Sequence, residues 1–270
     1  MTDPIVTGRR LMRYANGAMT EADDLVVTEH PVTLMLNGEE FATLVCTPEY
    51  VEDMAIGFLA SEGAIAAYAD LKPLSYDAQT GYLYADTHRP TAFATELHSK
   101  RYVSSCCGKS RQGFYFWSDA RTAKRIETRT AQLAPEDCIR LMEELQRAAE
   151  TFRSTGGVHN AALCDRAGIR LMRSDIGRHN ALDKLYGHAL RTAGGGEPPA
   201  RIVAFSGRIS SEILLKVAKL GGEIVLSKSA PTALALDLAE DLGITAVGFI
   251  RGSSFNVYTH PERILRSSPR

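Results

Sequence analysis

The chain has 270 residues, of which 44% are hydrophobic, and a formal net charge of −1. It can bury a substantial core in one large or two smaller domains, and its composition excludes a disordered chain and a general electrostatic attraction to nucleic acid. No apolar run is long enough to span a bilayer, and the first residues lack the pattern of a secretory signal. Because five cysteines, an odd number, favour reduced thiols, we expect a cytoplasmic protein that binds neither nucleic acid nor membranes.

The N-terminal part of the chain is predicted to be rich in β-structure. Residues 1–28 show scattered charge and weak periodicity, and we interpret them as an extended lead-in. Two apolar runs, 32–36 and 41–45, flank Asn37-Gly38, a dipeptide that favours the positive φ angles of a tight turn. These runs therefore predict a β-hairpin.

A helix, a strand pair and a second helix are predicted next. An amphipathic helix is expected to begin at Thr47-Pro48 and to end near Gly63. Residues 74–84 predict another strand pair, and Pro135 opens a second amphipathic helix that ends at Gly156-Gly157.

The C-terminal half alternates short apolar strands with helices. The predicted strands are 201–205, 223–226 and 244–249, and the predicted helices between them are 212–220 and 232–242. Solid apolar strands joined through helices indicate a largely parallel sheet that is covered on both faces. We therefore predict an α/β fold, with a β-rich N-terminal region at residues 1–130 and an α/β domain at residues 131–270.

Residues 104–110, with the sequence SSCCGKS, are the most reactive stretch of the chain. Adjacent Cα atoms lie only about 3.8 Å apart, so Cys106 and Cys107 could form a disulfide with each other only under strain. Lys109 and Arg111 would stabilise a thiolate, and the small residues around the pair are typical of an accessible loop. The pair is therefore a candidate nucleophile, and the spacing fits neither a phosphatase loop nor a C-x-x-C redox motif.

The other three cysteines are predicted to be core residues. Cys46 closes an apolar strand, Cys138 lies on the apolar face of a predicted helix, and Cys164 ends a short apolar run. Only the vicinal pair is left as a reactive candidate.

Three predicted strands end in small hydroxyl residues next to cations. The segments are 206–208, 227–232 and 251–254. In parallel sheets a ligand binds at the carboxyl edge, where helix N-termini offer N–H groups, so these segments favour a phosphate-bearing ligand. Residues 175–180 lie at another strand-to-helix junction and could add polar contacts through Asp175, Arg178, His179 and Asn180.

Several ordered motifs resemble the formate dehydrogenase accessory sulfurtransferases, the FdhD family. They lie at residues 57–63, 104–110, 175–184, 227–232 and 258–263, within a match that covers most of the chain. The resemblance implies a cytosolic, dimeric sulfur carrier with a cytidine-deaminase-like three-layer domain. Such a carrier takes sulfane sulfur from a cysteine desulfurase as a cysteine persulfide. It passes that sulfur to the bis-molybdopterin guanine dinucleotide cofactor of molybdenum, which the formate dehydrogenase apoenzyme needs.

The resemblance also implies site residues. In the commoner family loop two residues separate the cysteines, whereas here they are adjacent, so both Cys106 and Cys107 are kept as carriers of the persulfide. No permanently bound metal is expected. The residues expected to hold the cofactor are Ser206, Gly207, Arg208, Ser227, Lys228, Ser229, Arg178, His179, Phe249, Ile250, Arg251, Gly252, Ser253 and Ser254.

Two alternatives compete with this interpretation. A zinc nucleoside deaminase would need His-x-Glu and Pro-Cys-x-x-Cys, but His159 is followed by Asn160 and Ala161, and the chain lacks a cysteine pair with that spacing. A non-catalytic chaperone that binds the cofactor or the formate dehydrogenase apoenzyme would leave the cysteines idle. Substitution of both cysteines separates this second alternative from a sulfurtransferase.

Overall fold

A long β-hairpin opens the chain in the computed structural model, which describes residues 5–89, 102–103, 123, 125–193 and 200–265. Strands β1 (Val6–Ala15) and β2 (Ala18–Val27) pair antiparallel in a sheet of their own. The turn residues Asn16 and Gly17 have φ angles of 51° and 85°, as a two-residue hairpin turn requires. The described part of residues 1–28 is extended, as predicted, but its pairing into a hairpin was not predicted.

A second sheet of five strands forms the core of the N-terminal half. Its order is β5-β6-β3-β4-β7. The strands are β3 (His30–Leu36), β4 (Glu39–Cys46), β5 (Ser75–Asp77), β6 (Tyr82–Ala85) and β7 (Tyr102–Val103). The predicted hairpin and the later strand pair are confirmed, and helix α1 (Val51–Ser61) covers the apolar face of this sheet.

The C-terminal half is built on a six-stranded sheet in the order β13-β12-β11-β10-β8-β9. These strands are β8 (His159–Cys164), β9 (Ile169–Asp175), β10 (Ile202–Phe205), β11 (Ile224–Ser227), β12 (Thr245–Arg251) and β13 (Ser254–Val257). Strands β10, β11 and β12 pair parallel, as predicted, whereas β8, β9 and β13 pair antiparallel at the flanks. Parallel pairing is thus confined to the centre of the sheet.

Helices cover both faces of this sheet. The helices are α2 (Pro135–Ala148), α3 (Glu150–Thr155), α4 (Arg178–Thr192), α5 (Ser211–Lys219) and α6 (Ala233–Leu242). Apolar side chains of α4, α5 and α6 form one core with the sheet, and those of α2 form a second core with its other face. Two short 3₁₀ helices, Tyr68–Asp70 and Pro261–Arg263, complete the described elements. The α/β fold with a β-rich N-terminal region is confirmed, whereas the division at residue 130 stays a prediction.

Helices α1 and α4 join the two halves at a pair of glycines. A Cβ atom on Gly57 of α1 would lie 2.8 Å from the backbone nitrogen of Gly187 of α4, and one on Gly187 would lie 2.8 Å from the nitrogen of Gly57. The two helix backbones approach each other so closely that no side chain fits between them at this point. Within the described residues, no helix combines the length and the apolar character that crossing a bilayer requires.

Candidate functional site at the carboxyl edge of the six-stranded sheet

The carboxyl ends of β10, β11 and β12 and the loops that follow them meet at one edge of the sheet, and we call residues 206–208, 227–232 and 249–254 the rim. Because the three strands are parallel neighbours, their carboxyl ends lie side by side. The Oγ of Ser227 donates to the carbonyl of Gly207 at 2.7 Å, and the N–H of Phe249 donates to the carbonyl of Ser229 at 3.3 Å. The predicted segments are therefore brought together.

The first rim loop is held by its serine and leaves its arginine exposed. The Oγ of Ser206 accepts a hydrogen bond from the N–H of Asn160 at 2.9 Å, and the N–H of Ser206 donates to the carbonyl of Asn160 at 2.9 Å. A Cβ atom on Gly207 would lie 2.9 Å from the ring of Phe205. Arg208 is exposed, so its guanidinium is available to an anion at this edge.

The second rim loop is built around a buried serine. Ser227 is fully buried, and its Oγ also accepts a hydrogen bond from the N–H of Ser229 at 3.0 Å. Ser229 in turn donates from its Oγ to the carbonyl of Ser206 at 3.4 Å. Lys228 lies between the two serines and is half-buried. Ser227 therefore shapes the loop, and Lys228 supplies its charge.

The third rim loop contains a strained aromatic residue. Phe249 has a φ of 54°, which is unfavourable for a bulky side chain, and the residue is 36% exposed. The guanidinium of Arg251 lies 5.6 Å from the centre of that ring. Ile250 is buried in the core that faces α2, so only its backbone can face a ligand, whereas residues 252–254 are exposed.

A histidine and an acid lie next to the rim, where two helices begin. Nε2 of His179 in α4 lies 2.9 Å from Oε2 of Glu212 in α5, although this contact lacks the angular geometry of a hydrogen bond. Burial lowers the pKa of His159, and the nearby Arg178 and His179 lower it further. The edge therefore holds an imidazole with a lowered pKa beside half-buried Arg178 and His179.

Two other residues of the β9–α4 junction serve the fold rather than a ligand. Asp175 is fully buried, and its carboxylate accepts hydrogen bonds from the N–H of Thr47 (3.0 Å), the N–H of Gly177 (2.8 Å) and the side-chain amide of Asn180 (2.9 Å). The Nζ of Lys184, also fully buried, lies 2.7 Å from the same carboxylate. The expectation that Asp175 and Asn180 add contacts to the ligand is corrected, because their polar atoms hold β4 against β9.

The three described cysteines are unreactive core residues, as predicted. Cys46, Cys138 and Cys164 are all fully buried. Burial raises the pKa of each thiol to about 12, and nearby carboxylates, such as Asp175 beside Cys46, raise it further. None of the three can supply a thiolate near neutral pH.

Cys106 and Cys107, the predicted nucleophiles, lie outside the described residues. Within the described part of the chain, no three side chains of His, Cys, Asp or Glu come together as metal ligands would. The zinc deaminase alternative thus finds no ligand cluster there.

The sequence interpretation missed the contribution of β8 to this edge. Because β8 runs antiparallel to β10, its first residues, His159 and Asn160, lie beside the carboxyl ends of the parallel strands. The side chain of Asn160 accepts a hydrogen bond from the Oγ of Ser174 at 2.7 Å. The sequence does place the polar pair His159-Asn160 directly before an apolar run. That pattern does not indicate the direction in which β8 runs in the sheet.

The residues that form this edge also match a known protein family. Residues 27–265 match the FdhD/NarQ family. The chain belongs to that family. The sulfur carrier protein FdhD of Shouchella clausii is 56% identical over 265 residues, with 98% of each chain covered. That of Bacillus subtilis is 52% identical over 264 residues, with 98% of this chain and 99% of the relative covered.

A solved structure supports the fold of this FdhD/NarQ member. It is a crystal structure from Desulfotalea psychrophila whose description names a candidate formate dehydrogenase accessory protein. It superposes with a TM-score of 0.77 at 24% identity, covering 97% of this chain and 100% of that one. At this identity the likeness concerns the fold alone, and the family resemblance seen in the motifs is confirmed by the sequence matches.

Proposed function

We propose that this protein is a sulfurtransferase that carries sulfane sulfur as a persulfide on Cys106 or Cys107. A cysteine desulfurase is the donor, and the acceptor is the bis-molybdopterin guanine dinucleotide cofactor of molybdenum, bound as a substrate. The sulfurated cofactor then serves the formate dehydrogenase apoenzyme, and the carrier works in the cytoplasm as a homodimer. The observation that carries this proposal is the rim, where three parallel strand ends present cations and backbone to one space.

The rim suits the nucleotide end of such an acceptor. Arg208, Lys228 and Arg251 supply positive charge for phosphate groups, and α5 and α6 begin at the same edge without a hydrogen bond from the side chain of their N-cap residue. The ring of Phe249 offers a face for stacking against a base. The same features explain why the strained φ of Phe249 would be retained.

The cysteines are assigned by elimination and by the path of the chain. The other three thiols are buried and have raised pKa values. Strand β7 pairs parallel with β4, with Val103 opposite Leu44. Since β4 leads to Thr47, which contacts Asp175 at the carboxyl end of β9, β7 itself runs in the direction of the edge that bears the rim.

The loading step is a thiol exchange. A thiolate of this protein, favoured by Lys109 and Arg111 nearby in the sequence, attacks the terminal sulfur of the persulfide of the donor. The S–S bond of the donor breaks, its thiolate leaves, and a new S–S bond forms on this chain. One persulfide is consumed for each one formed, so loading needs no external oxidant.

The test separates sulfur transfer from mere cofactor binding. In cells that depend on this protein, the variant Cys106→Ala/Cys107→Ala is expected to abolish formate dehydrogenase activity while the purified variant still folds and binds GDP, the nucleotide part of the cofactor. Full activity with the double variant would overturn the proposal and favour the chaperone alternative.

A further inference from the structure

One face of the β1–β2 hairpin presents apolar side chains to solvent. Met12 is 55% exposed, Tyr14 70%, Met19 58% and Leu25 44%. Tyr14 and Met19 are directly opposite each other in the register, and Met12 lies two residues from Tyr14 on the same strand, so all three share one face near the tip. Exposed apolar side chains gathered on one face are a feature of interaction sites.

The opposite face of the hairpin differs in its surroundings. Leu11, Ala22 and Asp24 alternate with the exposed positions and are half-buried. Among the described residues, the hairpin contacts the body near its base, where the side chain of Val27 lies against Gly157 and where Thr7 and Thr28 share a hydrogen bond of 3.1 Å. A two-stranded sheet on its own is only marginally stable in water. A partner that covers the exposed apolar side chains would therefore stabilise this hairpin of two ten-residue strands.

The charges of the hairpin make its apolar face complementary to itself. On this face the basic residue Arg10 lies on β1, and the acidic residues Glu21 and Asp23 lie on β2, whereas Arg9, Arg13 and Asp24 lie on the opposite face. If a second hairpin is laid over the apolar face by a two-fold axis parallel to the strands, β1 of each copy covers β2 of the other. Each residue of β1 then meets the residue that it faces in its own hairpin, so Arg10 meets Asp23 and Tyr14 meets Met19.

We propose that two copies of this protein associate through the apolar faces of their β1–β2 hairpins. Such a contact is isologous, because both copies use the same surface, and closed two-fold dimers are the commonest soluble oligomers. Tyr14 and Met19 form its apolar centre, and Arg10 and Asp23 set its register. This inference rests on the homodimer of the proposed function and names the surface that forms it.

The first experiment measures self-association of the full chain by sedimentation equilibrium. Tyr14→Ser/Met19→Ser is expected to raise the dimer dissociation constant by about tenfold or more, since truncated central residues dominate the loss of affinity in interfaces. Thr20→Ala, next to Met19 but on the opposite face, is expected to leave it unchanged. A wild-type chain that stays monomeric would overturn both the homodimer and this surface, and a dimer unaffected by the double variant would overturn the surface alone.

The second experiment uses charge reversal. Arg10→Asp alone and Asp23→Arg alone each place like charges across the contact and are expected to weaken self-association by about tenfold. An equimolar mixture of the two variants is expected to form a heterodimer with nearly wild-type affinity, because Asp then meets Arg at every site. Arg9→Asp creates the same like-charge pair within a hairpin, on the opposite face, and should not weaken the dimer. A mixture that associates no better than either variant would contradict the proposal.

Discussion

The carboxylate of Asp175 lies 2.7 Å from the Nζ of Lys184, and both side chains are completely buried. Lys184 also donates to the Oγ1 of Thr47 at 2.7 Å and to the carbonyl of Ser174 at 3.3 Å. One ion pair thus joins the end of β4, the end of β9 and helix α4. The motif at residues 175–184 therefore joins these elements structurally, in addition to lying at the edge where we propose that the ligand binds.

Removing the cation of this pair is expected to destabilise the fold strongly. Lys184→Met leaves the Asp175 carboxylate buried without its charge partner, and we expect the free energy of unfolding to fall by about 3–5 kcal/mol. The free energy of unfolding is measured by urea denaturation monitored by circular dichroism. The exposed Lys72→Met serves as the control and should change stability by less than about 0.5 kcal/mol; a similarly small loss for Lys184→Met would refute the structural role.

The glycine contact between α1 and α4 makes a second prediction. Gly57→Ala would place a Cβ atom against the backbone of α4 at less than contact distance, so the helices must separate and the free energy of unfolding should fall by about 1–3 kcal/mol or more. A Cβ atom on Gly8 meets nothing within 4 Å, so Gly8→Ala is the matched control. Equal thermal midpoints for wild type and Gly57→Ala would show that this close approach is wrong.

The stability of the α/β half should depend on pH through Glu223. Burial raises the pKa of this carboxyl, but hydrogen bonds from Thr130, Ala131 and Thr128, together with Arg263, outweigh it and leave the pKa below its ordinary value. The stabilisation is therefore complete above about pH 4.3 and is lost as the pH falls through the lowered pKa. Urea denaturation at a series of pH values should show wild type approaching Glu223→Gln in stability as the solution is acidified.

A control variant keeps this pH prediction specific. Thr130→Val removes one donor, at 2.6 Å from the carboxylate, and should reduce the pH-dependent part of the stability without removing it. If Glu223→Gln keeps the full pH dependence of the wild type below pH 5, roughly the range in which carboxyls titrate, the assignment to Glu223 is wrong.

Phe249 should separate stability from ligand affinity. Phe249→Gly relieves the positive φ and removes a partly exposed ring, so the free energy of unfolding is expected to stay unchanged or to rise by about 1 kcal/mol. Loss of a stacking face should weaken GDP binding by about tenfold, measured by calorimetry. Phe249→Ala keeps the backbone strain and should lose affinity equally without gaining stability, and unchanged GDP binding in both variants would remove Phe249 from the site.

The sequence predicted the centre of the α/β half because its signals are local. Short apolar strands at 202–205 and 224–227, each followed by a helix start, identify a parallel unit without knowledge of the rest. The carboxyl ends of parallel neighbours must meet, so the rim could be placed as well. The same reasoning identified Cys46, Cys138 and Cys164 as core residues from their apolar surroundings.

What the sequence did not predict depends on contacts between distant residues. Asn16-Gly17 has the same turn chemistry as Asn37-Gly38, but the flanking strands of the first hairpin are mostly polar and lack apolar alternation. The hydrogen bonds between Thr47 and Asp175 join residues that are 128 positions apart in the sequence. No local sequence pattern predicts them. Antiparallel β8 and β13 are missed for the same reason, because strand direction is decided by pairing.

The most direct test of sulfur transfer is the intact mass of the protein after incubation with a cysteine desulfurase and cysteine. We predict that wild type, and at least one of Cys106→Ala and Cys107→Ala, gains the mass of one sulfur atom that a reducing agent removes. Cys106→Ala/Cys107→Ala should gain none, although Cys46, Cys138 and Cys164 are still present. A sulfur adduct on the double variant, or none on the wild type, would contradict this prediction.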